Sequence, residues 1–249
     1  MTHPLSETSP STRGRILAAL YLFVIAGGIS AQVFIADRLV VASDAVRTAA
    51  NINANKSLYR FGFTIFMLEM VAQIVASLLF YDLLKPVNRS LARASAVIGL
   101  TGSGIKTMAR LFYYAPLILL GGAAYLSAIQ PAQLEALSLV FIKINNQGAA
   151  IALIFFGFET LIRGWLIFQS GFLPRFLGVI SMVGGLGWLT FLWPPFGSQA
   201  FMGVALFAIA GVIATTGWLF IRGVDDAKWK ARAEFRACDH PTFPDPKTR

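Results

Sequence analysis

The chain has 249 residues, 56% of them hydrophobic, with 21 Lys and Arg against 12 Asp and Glu, and a mean hydropathy of +0.66. So much apolar surface exceeds what a water-soluble fold covers with polar groups, and it equally excludes a disordered chain. One cysteine, Cys238, excludes a disulfide scaffold, which leaves an all-α polytopic membrane protein.

A hydrocarbon core of roughly 30 Å takes about 20 apolar residues per helix, and six runs of that order are present. The first runs from Ile16 to Ala36. Arg13 and Arg15 ahead of it, and Ile29-Ser30-Ala31 inside it, have the layout of a cleaved secretory signal. The run continues through Val33, Phe34 and Ile35 to full spanning length, so an uncleaved helix is expected. In the long connection 37–60, Ser43 and Asp44 are helix-capping types, and Val46, Ala49, Ala50 and Ile52 fall near one face of a short interfacial helix.

The remaining runs are Phe61 to Leu84, Ala94 to Ala128, Leu137 to Gln169, Phe176 to Trp193 and Ala200 to Ile221. The third and fourth are long enough to tilt or to project beyond the lipid. Pro116 predicts a kink, and Gly27-Gly28, Gly121-Gly122 and Gly184-Gly185 predict close contacts or bends. Ser95, Gly99, Ser103 and Thr107 repeat every four residues as a packing stripe, and Tyr59, Tyr81, Trp193 and Trp218 fall near span ends as an aromatic belt.

Lys and Arg in short connections favour the cytoplasmic side. With six spans, thirteen basic residues share the side of the two termini: Arg13, Arg15, Lys85, Arg89, Arg93, Arg175 and the seven from Arg222 to Arg249. Four (Arg38, Arg47, Lys56 and Arg60) face the other way, so both termini are expected in the cytoplasm, with segments 1–15 and 223–249 flanking a transmembrane domain 16–222. The tail mixes Lys and Arg with Trp229 and Phe235, which suits a helix on anionic lipid headgroups and equally a solvated charged tail. The basic balance therefore reads as membrane orientation; nucleic acid is not an expected partner.

Three strings carry a resemblance: Tyr81-Asp82-Leu83-Leu84-Lys85-Pro86-Val87-Asn88-Arg89-Ser90-Leu91-Ala92, Phe155-Phe156-Gly157-Phe158-Glu159, and Ser170-Gly171-Phe172-Leu173-Pro174-Arg175-Phe176-Leu177-Gly178-Val179. Over about Arg15 to Val224 the chain resembles an uncharacterised bacterial membrane family, the domain of unknown function numbered four-three-eight-six. The resemblance implies a six-helix integral protein of the bacterial cytoplasmic membrane and no established activity.

Ionisable groups within spans are costly and usually inward-facing and paired. The candidates are Glu69 and Gln73 in the second run, Lys106 and Arg110 in the third, and Glu159 and Arg163 in the fourth, each pair spaced i, i+4 on one face. A rise of about 1.5 Å per residue puts Glu69 and Lys106 at nearly the same depth. Glu69 is therefore expected to pair with Lys106 or Arg110, and Glu159 with Arg163. If Leu111 to Ile129 were the true third span, Lys106 and Arg110 would instead snorkel at the cytoplasmic interface. Lys143, Asn145 and Asn146 are expected toward the outer interface, and Thr107, Tyr113 and Tyr114 near the charges.

This polar cluster reads either as a small-solute or proton path or as a structural clamp. Haem or zinc would need His or Cys ligands among the spans, and His3, His240 and Cys238 all lie outside them, so no metal or other cofactor is expected. The interior carboxylates have basic neighbours, which weakens them as general acids and makes an enzyme the least supported reading.

Overall fold

The computed structural model describes residues 9–239, with side chains to residue 235; His3, His240, Lys247 and Arg249, and the side chains of Arg236 and Cys238, fall outside what is described. Among the described residues the chain is helical without a strand. Ser9 caps the first helix by accepting from Thr12 N, with Pro10 in its first turn, and α1 (Pro10–Ile29) runs on through a π-helical stretch (Ser30–Ala36) and the single turn α2 (Asp37–Leu39).

The expected short helix is α3 (Ala45–Ala54), capped by Asp44, which accepts from Arg47 N at 2.9 Å. Its buried face is Thr48, Ala49 and Ile52, whereas Val46 and Ala50 are exposed. Residues 45, 48, 49 and 52 share one helical stripe, and 46 and 50 lie on the next, which corrects the expected face. Thr48 fixes α3 to the preceding connection by donating to Val41 O at 3.0 Å and accepting from Val41 N at 2.9 Å.

The rest of the chain is α4 (Lys56–Leu84), α5 (Arg89–Leu119), α6 (Pro131–Ser170), α7 (Arg175–Trp188), α8 (Pro194–Ile221) and α9 (Asp226–Asp239). α5 stops at Leu119, three residues after Pro116, and Gly122 takes φ 73 to begin a turn that leads into a 3-10 segment (Ala124–Leu126). Residues 120–128 are thus a connection and not the end of a span, and a helix from Leu111 to Ile129 does not exist. α6 is longer than the apolar run because Pro131, Gln130 and Gln133 start it early, with the two glutamines forming a capping box. At 40 residues it is about 60 Å long, twice the hydrocarbon core.

Five helical segments are long and apolar enough to cross a membrane: Pro10–Leu39, Lys56–Leu84, Pro131–Ser170, Arg175–Leu192 and Pro194–Ile221. α5 is long enough at 31 residues; Arg89, Arg93, Lys106 and Arg110, with its small polar residues, leave it less apolar than the others.

The six long helices neighbour one another in the order α1, α4, α5, α6, α7, α8 and back to α1, a closed up-and-down bundle. Glycines set its tightest seam. A Cβ on Gly164 would stand 2.7 Å from Gly178 O, and one on Gly185 would stand 2.8 Å from Gly157 O, so α6 and α7 touch backbone to backbone at two levels. Two apolar clusters fill the ends. One joins Leu17, Leu83, Leu84, Phe172, Leu177 and Leu219 near the α4–α5 and α6–α7 turns, and the other joins Ile35, Ile52, Tyr59, Phe66, Tyr113 and Ile142 at the opposite end. The charged interior lies between them.

Candidate functional site

α4 presents Glu69, Gln73 and Ser77 at four-residue intervals, a polar ladder about 12 Å long on one buried face. Each rung meets a different neighbour. Lys106 Nζ of α5 donates to Glu69 Oε1 at 2.7 Å, forming the expected pair. Gln73 Nε2 donates to Tyr21 Oη of α1 at 3.4 Å, and Ser77 Oγ donates to Glu159 Oε1 of α6 at 3.3 Å.

Glu159 is the centre of the deeper cluster. Arg163, one turn on, donates from Nη1 to Glu159 Oε1 at 3.2 Å and to Tyr21 Oη at 2.6 Å, and from Nη2 to Thr160 Oγ1 at 3.2 Å. Its guanidinium carbon lies 4.4 Å from the Phe80 ring centre, a cation–π contact. Ser95 Oγ donates to Glu159 O at 3.1 Å, and Gly99 leaves the space that the Glu159 carboxylate occupies. The Ser95–Thr107 stripe is therefore where α5 meets α6. Beside Arg163 is a small cavity of about 30 Å³ bordered by Tyr21, Thr160, Ser181 and Thr215, room for one or two waters.

Arg110 belongs to the other cluster and not to the Glu69 pair. Its Nη1 donates to Asn145 Oδ1 at 3.1 Å, and its guanidinium carbon lies 3.6 Å from the Phe66 ring centre. Asn145 Nδ2 donates in turn to the exposed Asn146 at 3.0 Å. Among the described residues no carboxylate lies within 4.0 Å of Arg110, although the residue is only 3% exposed. Three buried side-chain atoms lack a hydrogen-bond partner in this half of the bundle: Arg110 Nε, Glu69 Oε2 and Tyr113 Oη. Tyr113 stacks on Tyr59 with ring centres 4.3 Å apart, and Tyr59 donates to Tyr113 O at 2.7 Å. Lys143 is exposed, and Thr107 donates to Ser103 O at 2.7 Å rather than to the charges.

Helix spacing singles out Glu69, Gln73, Lys106, Glu159 and Arg163, and the four-residue stripe singles out Ser95 and Gly99 as packing positions, whereas Tyr21 and Ser77 lie outside the expected site. Ser77 had a signal, being the third rung of the Glu69–Gln73 repeat. Tyr21 had none, since a lone tyrosine in an apolar run has no pattern that separates it from packing.

Gly28 explains why α1 comes so near the upper pair: a Cβ there would stand 3.2 Å from Glu69 Oε1. The arrangement is two ion pairs, with Gln73 and Tyr21 bonded to the Arg163 side, and one guanidinium that, among the described residues, has no carboxylate within 4.0 Å and feels the Glu69 charge from farther away. No curated protein and no solved structure matches the chain. The family model described as Domain of unknown function (DUF4386) matches residues 16–223, most of the length, and the chain belongs to that family.

Proposed function

We propose that this protein is a six-pass protein of the bacterial cytoplasmic membrane, with both termini cytoplasmic, that binds and passes a small polar solute through its charged interior. The observation supporting the solute reading is Arg110, a guanidinium 3% exposed whose polar partner is a neutral amide and whose Nε is unpartnered. A buried cation with no carboxylate within 4.0 Å, its nearest compensation being the charge of Glu69 farther off, is expensive in a bilayer, and a solute with an acceptor or negative charge relieves that cost. The Glu69–Gln73–Ser77 ladder continues from there toward Glu159 and Arg163. The six-pass reading rests on α5, which packs along both α4 and α6 and so shares their level in the membrane.

A second reading, a structural clamp in an accessory protein, is favoured by the two formed ion pairs and by a cavity that admits only water. Mass spectrometry of small molecules co-purifying in mild detergent separates the two. The solute reading expects an enriched compound in the wild type that is lost in Arg110→Gln and in Glu69→Gln/Lys106→Met while melting stays cooperative. The clamp reading expects no enriched compound and a lower Tm in both variants.

A further inference from the structure

α5 and α6 cross where Ala109 meets Gly148; a Cβ on Gly148 would stand 2.6 Å from that of Ala109. On the outer flank of this crossing the helices diverge around a groove of about 590 Å³. Ala109 and Gly148 form its floor, Met108 and Phe112 one wall, and Ile144 and Ile151 the other. Met108 is 63% exposed and a Cβ on Gly104 would meet nothing within 4 Å, so the groove is open toward the bilayer.

The lining selects the occupant. Thr101 spends its hydroxyl on Val97 O at 2.9 Å, which leaves the exposed amide of Gln147 as the free polar group of the lining. A polar solute finds only that amide to bond there. A second protein helix also packs over two touching helices, so a dimer is a separate outcome of the test below, and the basic residue beside the groove is what favours a lipid. From Thr101 to Phe112 the groove runs about 16 Å, the depth of one leaflet of a core roughly 30 Å thick. Lys143, exposed and one turn from Gln147 at this end of the groove, supplies a cation at headgroup level.

We infer that the α5–α6 groove is a binding site for one anionic phospholipid, with an acyl chain along Gly104, Met108 and Ile151 and its phosphate at Lys143. This inference rests on the membrane reading and is independent of the solute reading, because none of Arg110, Glu69 and Glu159 lines the groove.

Native mass spectrometry of the full chain, given phosphatidylglycerol and phosphatidylcholine in equal amounts, tests it. The wild type is expected to retain one lipid and to prefer phosphatidylglycerol about fivefold, the contribution of one lysine near the surface. Gly104→Phe fills the groove and is expected to lower retention at least about tenfold. Gly104→Ala retains the lipid as the wild type does, and Lys143→Gln retains it without headgroup preference. Ile151→Trp blocks the opposite wall and serves if Gly104→Phe does not fold. Retention in both folded fillers at the wild-type level overturns the site, as does a wild-type dimer that the fillers dissociate. Any polar solute found in the same spectra stays bound in the fillers, so its absence in the wild type bears on the solute reading alone.

Discussion

The Glu159 carboxylate rests against the backbone of Gly99, so close that a Cβ on residue 99 would stand 2.5 Å from Glu159 Cδ. The carboxylate cannot move aside without leaving Ser77 and Arg163, which hold it at 3.3 and 3.2 Å. Gly99→Ala therefore forces α5 away from α6, and overpacking of this kind costs about 1 to 3 kcal/mol. Against this, alanine gains at most about 1 kcal/mol in helix propensity over glycine. Gly104→Ala, on the same helix in open space, receives the gain without the clash. Thermal melting in detergent is expected to rank Gly104→Ala at or above the wild type and Gly99→Ala below both; an unchanged Tm for Gly99→Ala would show that the seam has slack.

The Glu69–Lys106 pair differs in that one member is partly open, with the lysine side chain 18% exposed and the glutamate 5%. Removing one partner of a buried pair typically costs about 3 to 5 kcal/mol, because the other charge is left uncompensated. Lys106→Met falls toward the lower end of that range for Glu69, whose Oε2 is unpartnered already. Glu69→Gln/Lys106→Met removes both charges and recovers part of the loss, with a coupling energy of at least about 1 kcal/mol in a double-mutant cycle. Additive single losses would mean the two side chains are neighbours without an energetic bond.

How far this interior was legible in the sequence follows from particular residues. The ion pairs were, since i, i+4 spacing and a fixed rise per residue place Glu69 opposite Lys106 and Glu159 beside Arg163. The choice of Lys106 over Arg110 was not, because it depends on Phe66 taking the Arg110 guanidinium on its ring. Asp44 announced α3. The end of α5 did not announce itself: residues 120–128 are as apolar as a helix, and only the backbone of Gly122 shows that the chain has turned. Tyr21 becomes a site residue through packing between distant helices, which no local pattern encodes, and Ser95 lies on the expected packing stripe with only its bond to Glu159 O hidden from the sequence.

The proposed six crossings predict a labelling pattern that five cannot give. Single cysteines placed in a Cys238→Ser background at Ser43 and Tyr125 are expected to react with an impermeant maleimide added from outside intact cells. Lys85→Cys and Arg175→Cys are expected to react only after permeabilisation. Tyr125 is 71% exposed in the α5–α6 connection, so access does not limit its labelling. If α5 did not cross, Tyr125→Cys would label with Lys85→Cys, and the orientation of everything before it would reverse relative to the tail.

Two side chains fasten the tail to the bundle, beside a backbone bond from Asp225 N to Phe172 O at 3.5 Å. Asp226 Oδ1 accepts from Ser11 N at 2.8 Å in the first turn of α1, and the Trp229 indole donates to Leu83 O at 2.8 Å at the end of α4. Trp229→Phe keeps the ring and loses the bond, at a cost of about 1 kcal/mol. Just before α9, Asp225 accepts from Lys228 N at 3.1 Å and lies 3.1 Å from its ammonium. These contacts, the backbone N–H first, hold the Asp225 carboxyl below its usual range. A depressed carboxyl contributes its stabilisation above the unfolded value of about 3.9 and loses it as pH falls through the lower, folded value. With 5-fluorotryptophan incorporated, the Trp229 resonance, assigned by its absence in Trp229→Phe, is therefore expected to hold its docked position at neutral pH and to leave it only below about pH 3.9. Asp225→Asn still caps Lys228 N–H but carries no charge, so its profile is expected to be flat over this range. A resonance that moves identically in Asp225→Asn and wild type would show that the Asp225 cap is not the source of the acid sensitivity.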